Sequence, residues 1–288
     1  MLRPVVALAT CSGWPDLDED GALLIAALAA LGIDAGPARW DDAAQDWTRY
    51  DLVVVRNTWD YFDRLPDFLR WSDQVPRLAN PAAVLRWNTD KHYLRELTDA
   101  GVAVVATTWR SPGDSFDVPP GEYVVKPAVS AGARDTARYG PSEAARAGEH
   151  VGRLLAAGRD VMVQPYLAAV DSAGETSLLF FDGVFSHAAS KAAILRPLVG
   201  VRQDINSRSY VSAATATQEQ RTVAEQVLAA AGEQVSGPLL YARVDLVPGD
   251  DGAPLLLELE VTEPSLFLTH APGSAHRLAA AIAARVQA

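Results

Sequence analysis

The stretch Tyr241–Ser265, YARVDLVPGDDGAPLLLELEVTEPS, sets an arginine and three carboxylates at alternating positions. Its spacing predicts a strand, a Pro/Gly/Asp turn and a second strand, which together make a β-hairpin. Side chains alternate between the faces of a strand. Arg243 and Asp245 therefore share one face of the first strand, and Glu258 and Glu260 one face of the second. Burying the two apolar rows on one side gathers Asp245, Glu258 and Glu260 on the other. Carboxylates crowded in this way repel unless water, an arginine or a cation compensates them. Oxygen-rich groups of this kind suit Mg²⁺, which keeps some of its waters and is shared with substrate phosphates. The alternative is a solvated acidic face with Arg243 as its counter-ion.

Lysine is the second chemical signal. Of the 25 basic residues only Lys91, Lys126 and Lys191 are lysines, and the other 22 are arginines. An ammonium is a compact point charge that reaches a phosphate oxygen without a planar partner. Lys126 ends a predicted strand, Tyr123–Lys126, and the small-residue turn Pro127–Thr136 follows it, with Ser130 and Gly132. Backbone N–H groups in such a turn can cradle phosphate. It is not a Walker A loop, because G-x-x-x-x-G-K-[ST] is absent. Lys91 falls in the first turn of a helix predicted from an Asn88 N-cap to Gly101, where a cation opposes the helix dipole. Helix stability does not favour it there, so a ligand role does. Downstream, strand Asp160–Gln164, the break Pro165-Tyr166-Leu167 and the Gly174-Glu175 start of strand Ser177–Phe181 make a plausible adenosine seat. Backbone groups there would meet the base, and Glu175 the ribose. Lys191 ends the strand that follows.

The rest of the chain must position these groups. At 288 residues with 49% hydrophobic and 21% charged content it has the composition of a globular protein with ample core. A net charge of −11 argues against a nucleic-acid partner, which needs a basic face. No apolar run reaches membrane-spanning length, and the N-terminus is not a signal peptide. The single cysteine, Cys11, fits a reducing cytoplasm and a strand-end thiol. Strand Val5–Thr10, a helix from Asp18 to Leu31 and strand Tyr50–Thr58 make a Rossmann-like beginning without G-x-G-x-x-G. Arg56 and Asp60 lie at the C-terminal end of that last strand, where open α/β sheets place ligands. The alternative there is an Arg56–Asp60 ion pair. A strand is predicted over Val102–Thr107, and helices over Ser142–Ala157, Gln218–Ala231 and Ala275–Val286. Arg196–Val211, with Arg196, Arg202 and Arg208, reads as a long loop able to act as an arginine-bearing lid.

Lys91, VVKP ending at Lys126, the small-residue turn, VQPYL…GETSLLFFDG, Lys191 and ARVDLV…LLLELEVTEPS occur in the order of the ATP-grasp superfamily, which the chain resembles over residues 80–270. The resemblance implies an α/β (α+β) fold. A Rossmann-like pre-ATP-grasp domain, 1–87, would precede a two-lobed ATP-grasp module, with an N-terminal lobe at 88–164 and a C-terminal lobe carrying the metal site at 165–288. It implies ATP as cosubstrate with Mg²⁺, or Mn²⁺ in its place. Lys91, Lys126, Ser130 and Gly132 would meet the phosphates, Gln164, Tyr166 and Leu167 the adenine, and Glu175 the ribose. Lys191 would reach the γ-phosphate, Asp245, Glu258 and Glu260 would hold the metal, and Arg243 would steady an acyl-transfer oxyanion. Glu260 departs from the pattern, since many relatives carry asparagine there.

The implied reaction is a carboxylate–amine ligation through an acyl phosphate. TWDY and ELEVTEPSLFL bring the chain nearest to the ligases of antibiotic biosynthesis that close O-ureido-D-serine into D-cycloserine. An intermolecular amino-acid ligase and a nucleotide-binding protein without turnover are the alternatives. Arg56, Asp60, Arg196, Arg202 and Ser265 are the candidates for reading the small-molecule substrate. Relatives are often homodimers, but no patch in the sequence identifies an interface.

Overall fold

In the computed structural model, Val5–Thr10 (β1) forms the centre of the first sheet, because its apolar run is buried on both faces. The structure describes residues 3–203, 210–235, 237 and 239–287. After β1 come Glu19–Ala30 (α1), Asp34–Arg39 (β2), Leu52–Asn57 (β3), Leu65–Gln74 (α2) and Leu78–Ala79 (β4). The four strands pair in the order β2-β1-β3-β4, all parallel. The Asp18 carboxylate caps α1 by accepting from the Gly21 N–H at 3.2 Å, and Gly32, at φ 75°, supplies the left-handed turn that ends it.

Two short helices follow, Ala82–Asn88 (α3) and Tyr93–Asp99 (α4). The helix expected from an Asn88 N-cap to Gly101 therefore begins only at Tyr93, and Asn88 ends α3 and caps nothing. Its buried amide instead donates to the Leu259 carbonyl at 2.7 Å and accepts from the Val261 N–H at 3.0 Å. Lys91 therefore sits in the turn between the helices, where its N–H donates to the Ala128 carbonyl at 3.0 Å. The strand expected at Val102–Thr107 is also displaced. That segment makes one bridge, Val104 to Leu256, and the ladder begins at Thr108–Arg110 (β5).

Tyr123–Pro127 (β6), Ala137–Tyr139 (β7), the helix Ala144–Ala156 (α5) and Val161–Pro165 (β8) complete a second sheet, ordered β5-β8-β6-β7 and antiparallel. The short helix Val170–Ala173 (α6) leads to Glu175–Phe181 (β9), Val184–Lys191 (β10), Val211–Ala214 (β11), Gln218–Gln234 (α7), Tyr241–Pro248 (β12), Pro254–Glu260 (β13) and Ser274–Gln287 (α8). The third sheet runs β11-β10-β9-β12-β13 and is antiparallel. Its β12–β13 pair is the expected hairpin, with Arg243 opposite Glu260 and Asp245 opposite Glu258. Helix α7 packs Ala224, Val227 and Ala231 onto the apolar row Val244, Leu246 and Leu259, which turns the charged row the other way. Among the described residues no helix is long and apolar enough to cross a membrane. The loop expected at Arg196–Val211 is described only to residue 203 and from 210, so Arg208 lies outside the described residues.

Two buried histidines make the fold acid-sensitive. His187 sits on β10 with its Nε2 2.9 Å from the Leu266 carbonyl, and burial, aided by the charge of Arg277, takes its pKa from 6.5 to about 4. Burial and Arg153 do the same to His150, which also drops to about 4. The unfolded chain protonates these rings first, so it binds more protons than the folded chain from about pH 6.5 to about pH 4. Stability is complete above that window and is lost as pH falls through it, by up to about 3 kcal/mol per ring. Glu263 acts with the opposite sign between about pH 4.5 and 8, since burial raises its carboxyl to about 8. Comparing melting curves of the wild type and His187→Gln across this range isolates the histidine. The variant should show a shallower fall in Tm on acidification, and an equal fall would contradict the assignment.

Candidate active site

A cavity of about 220 Å³ opens between the second and third sheets. Each lysine reaches its wall from a strand end or a turn. Lys126 comes from β6, Lys191 from β10, and Lys91 from the α3–α4 turn. Ser130 and Gly132 line it from the small-residue turn, and Gln164, Tyr166 and Leu167 from the end of β8. Arg243, Glu258 and Glu260 enter from the hairpin, and Ser265 from the segment after it.

The charged groups pair in a defined order. Arg243 lays its guanidinium along Asp245, with Nε donating to Oδ1 and Nη2 to Oδ2, each at 3.0 Å. It also donates to Glu260 Oε1 and, through Nη1, to the Ser265 carbonyl at 3.1 Å. Asp245 further accepts from Lys191 at 2.9 Å and from the Ser177 hydroxyl at 2.6 Å. Burial alone would raise the Asp245 pKa, but Arg243 and Lys191 hold it well below the usual carboxylate range. Lys191 also meets Glu175 at 2.7 Å, its cross-strand partner, and the two carboxylates raise its pKa against the effect of burial. Gly174, at φ 70°, fits beside this pair because a Cβ there would lie 2.4 Å from the Lys191 carbonyl oxygen.

Lys91 bridges Glu258, at 3.1 Å, and the Ser130 carbonyl, at 2.9 Å. Lys91 and Lys126 lower the Glu258 pKa against burial. Glu260 goes the other way. Burial, with Glu258 and Asp245 nearby, outweighs Arg243 and lifts it to about 7. Lys126 differs from the other cations. Its ammonium is buried and has no hydrogen bond or ion pair among the described residues, and burial beside Lys91 and Lys191 lowers its pKa.

The structure therefore brings together Lys91, Lys126, Ser130, Gly132, Gln164, Tyr166, Leu167, Glu175, Lys191, Arg243, Glu258, Glu260 and Ser265 around one space. Asp245 stands behind that wall, 1% exposed, and its oxygens are taken up by Arg243, Lys191 and Ser177. Among the described residues no three His, Cys, Asp or Glu side chains form a ready metal cage. Glu258 and Glu260 are acceptor-only groups at the cavity wall, and they fit a Mg²⁺ that takes its other ligands from phosphate and water.

Four more candidates, besides Asp245, lie off the wall. Arg56 is buried and donates to the Pro264 carbonyl at 2.9 Å, over the Tyr241 ring, and does not pair with Asp60. Asp60 accepts from Trp40 Nε1 at 2.9 Å and from Arg64 at 2.5 Å. Arg202 Nη1 donates to the Ile194 carbonyl at 2.9 Å, and its backbone pairs with Asp135 and Thr136, bracing the small-residue turn. Arg196 is exposed. Sequence reasoning missed the apolar walls, Val105, Val124, Val247, Leu257 and Phe267. Isolated apolar residues in strands carry no signal that separates a ligand wall from a core. Cys11 is buried with its thiol pKa raised to about 11 by burial and Asp60, so it is no nucleophile.

Comparison with known proteins supports the same reading of the fold. The family model described as D-cycloserine synthetase DcsG, N-terminal domain, matches residues 6–80. The chain is 40% identical to the cycloserine biosynthesis protein DcsG of Streptomyces lavendulae, over 98% of this chain and 99% of that one. The crystal structure of D-cycloserine synthetase DcsG superimposes with a TM-score of 0.91 at 39% identity, covering 98% of this chain and 99% of that one. A RimK-domain ATP-grasp protein from Sphaerobacter thermophilus, at 18% identity, shares the fold with a TM-score of 0.67 over 99% of this chain and 100% of its own. At this identity and coverage, the chain belongs to the DcsG family and has the ATP-grasp fold.

Proposed function

We propose that this protein is an ATP- and Mg²⁺-dependent ligase that closes O-ureido-D-serine into D-cycloserine. The observation that carries the nucleotide part is Lys126, a buried ammonium with no hydrogen bond or ion pair among the described residues, set beside a turn of small residues. A buried charge needs a counter-charge, and an ATP phosphate between Lys91, Lys126 and Lys191 supplies it. The adenine would lie between the apolar walls near Leu167. The Tyr166 N–H already donates to the Glu122 carbonyl at 2.8 Å, so contact with the base edge falls to Leu167. Glu175 would accept from the ribose. Likeness to the D-cycloserine synthetase DcsG supports the choice of substrate. The division into 1–87, 88–164 and 165–288 is supported by the three sheets, one within each range apart from the last residue of β8.

The chemistry proceeds in two displacements. A carboxylate oxygen of the substrate attacks the γ-phosphorus of ATP, the bond to ADP breaks, and an acyl phosphate forms. Lysine ammoniums around the phosphates stabilise the charge that develops. The ureido nitrogen bonded to oxygen then attacks the acyl carbon, and phosphate leaves as the ring closes. Water must remove the carbamoyl group from that nitrogen, giving carbon dioxide and ammonia, before the free ring appears. Arg243 has five N–H donors, and its protein contacts leave one Nη1 hydrogen for the oxyanion of the second step. Mg²⁺ held by Glu258 and Glu260 would neutralise phosphate charge during the transfer. Hydroxylamine should trap the acyl phosphate as a hydroxamate in the presence of ATP and substrate. ATP consumption without hydroxamate would count against this route.

A further inference from the structure

Glu263 belongs to none of the groups above. It follows β13 in Thr262-Glu263-Pro264-Ser265 and is 8% exposed. Its carboxylate has no hydrogen bond and no ion pair among the described residues. The two cations that pull its pKa down, Lys91 and Arg243, are each held by other groups. Lys91 is held by Glu258 and the Ser130 carbonyl, and Arg243 by Asp245, Glu260 and the Ser265 carbonyl.

The backbone that carries it is fixed on both sides. Trp59 Nε1 donates to the Glu263 carbonyl at 3.0 Å, Arg56 to that of Pro264 at 2.9 Å, and Arg243 to that of Ser265 at 3.1 Å. Ser265 lines the active-site cavity, and Glu263, two residues before it, lies within electrostatic reach of Lys91, Arg243, Glu258 and Glu260, which line the same cavity. Burial, with Glu260 adding to it, raises its carboxyl to about 8, so a cation arriving beside it would stabilise the ionised form. Leaving a buried carboxylate unpaired costs stability and does nothing for the fold.

We propose that Glu263 is the subsite that receives the α-ammonium group of the amino-acid substrate. The assignment rests on the amino-acid ligase reading and adds a position to it. An ammonium brings one charge and three donors, which matches a carboxylate with both oxygens unused. With the ammonium anchored there, beside Ser265 and Arg243, the carboxylate two bonds away from it would face the phosphate end of the cavity. A des-amino substrate would leave the acid unpaired and be rejected. Glu263 would thus enforce selection for an amino acid.

Calorimetric titration of the full-length protein, with Mg²⁺ and a non-hydrolysable ATP analogue present, tests this directly. The ligands are O-ureido-D-serine and its counterpart with hydroxyl in place of the α-amino group. The wild type should prefer the amino compound by about 10–100-fold, the worth of one charge-assisted contact. Glu263→Gln should shrink that preference to about threefold or less with affinity for the ATP analogue unchanged, and it should melt no lower than the wild type. A variant that keeps the preference, or changes only the Mg²⁺ dependence, overturns the assignment, as does a wild type that binds both compounds equally or neither. A wild type that shows the preference yet forms no acyl phosphate removes the ligase reading and leaves the subsite standing.

Discussion

Asp245→Asn is expected to lower turnover by at least about 10²-fold and to lower Tm by about 5–8 °C. The carboxylate orients Arg243 through two N–H donors while meeting Lys191 and Ser177. Asparagine keeps the shape but offers one acceptor oxygen and no charge. Two buried cations then lose their shared counter-ion, and breaking such a pair costs about 3–5 kcal/mol. Arg243 would turn toward Glu260 and lift its free donor away from the oxyanion position. Turnover with hydroxamate trapping and a melting curve on the same preparation check both effects. A variant with normal stability and normal turnover would show that the pairing is incidental.

Lys126→Met is expected to separate binding from folding. The thioether chain fills nearly the same volume as lysine, and among the described residues no hydrogen bond or ion pair is abandoned when the ammonium is removed, while the longer-range attraction to Glu258 is lost. Removing an unpaired buried charge should leave the nucleotide-free protein as stable as the wild type or more so. Loss of a charge-assisted contact to phosphate should raise the Kd for ATP by about 10–100-fold. Thermal melting with and without Mg-ATP reads both quantities. The wild type should gain Tm on adding nucleotide, and the variant should gain little at the same concentration. A variant that loses stability without nucleotide, yet binds ATP normally, would make Lys126 a structural residue. These two substitutions therefore differ in the sign of their effect on the nucleotide-free fold.

Alternation made the hairpin legible before any coordinates. A period of two is enforced by backbone geometry, and the row Arg243, Asp245, Glu258, Glu260 survives folding with Asp245 opposite Glu258. Lysine scarcity carried the site for a related reason. In a chain that uses arginine for exposed charge, the few lysines stand where a compact ammonium is needed, and all three reach one cavity. Other features depend on contacts that no local pattern encodes. The Arg56 guanidinium finds a carbonyl 208 positions away and Asp60 turns to Trp40 and Arg64, so neither the expected ligand-facing pair nor the alternative ion pair forms. Asn88 has the residue type of an N-cap, but the hairpin edge takes its amide, so the helix starts only at Tyr93 and leaves a turn for Lys91. Alternation places Asp245 on the charged row correctly yet cannot say that Lys191 and Ser177 hold it back from the cavity. Glu263, three positions past the end of β13, gave no signal of its own, and only burial without a partner among the described residues distinguishes it from an ordinary loop carboxylate.

The central claim is that this cavity couples ATP cleavage to ring closure. Incubating the purified protein with Mg-ATP and O-ureido-D-serine, and quantifying D-cycloserine and ADP together by mass spectrometry, tests it most directly. The account predicts D-cycloserine in step with ADP, one for one, and neither product when ATP or the amino acid is withheld. ADP release without cycloserine, or no reaction at all with a protein that binds both compounds, would contradict it.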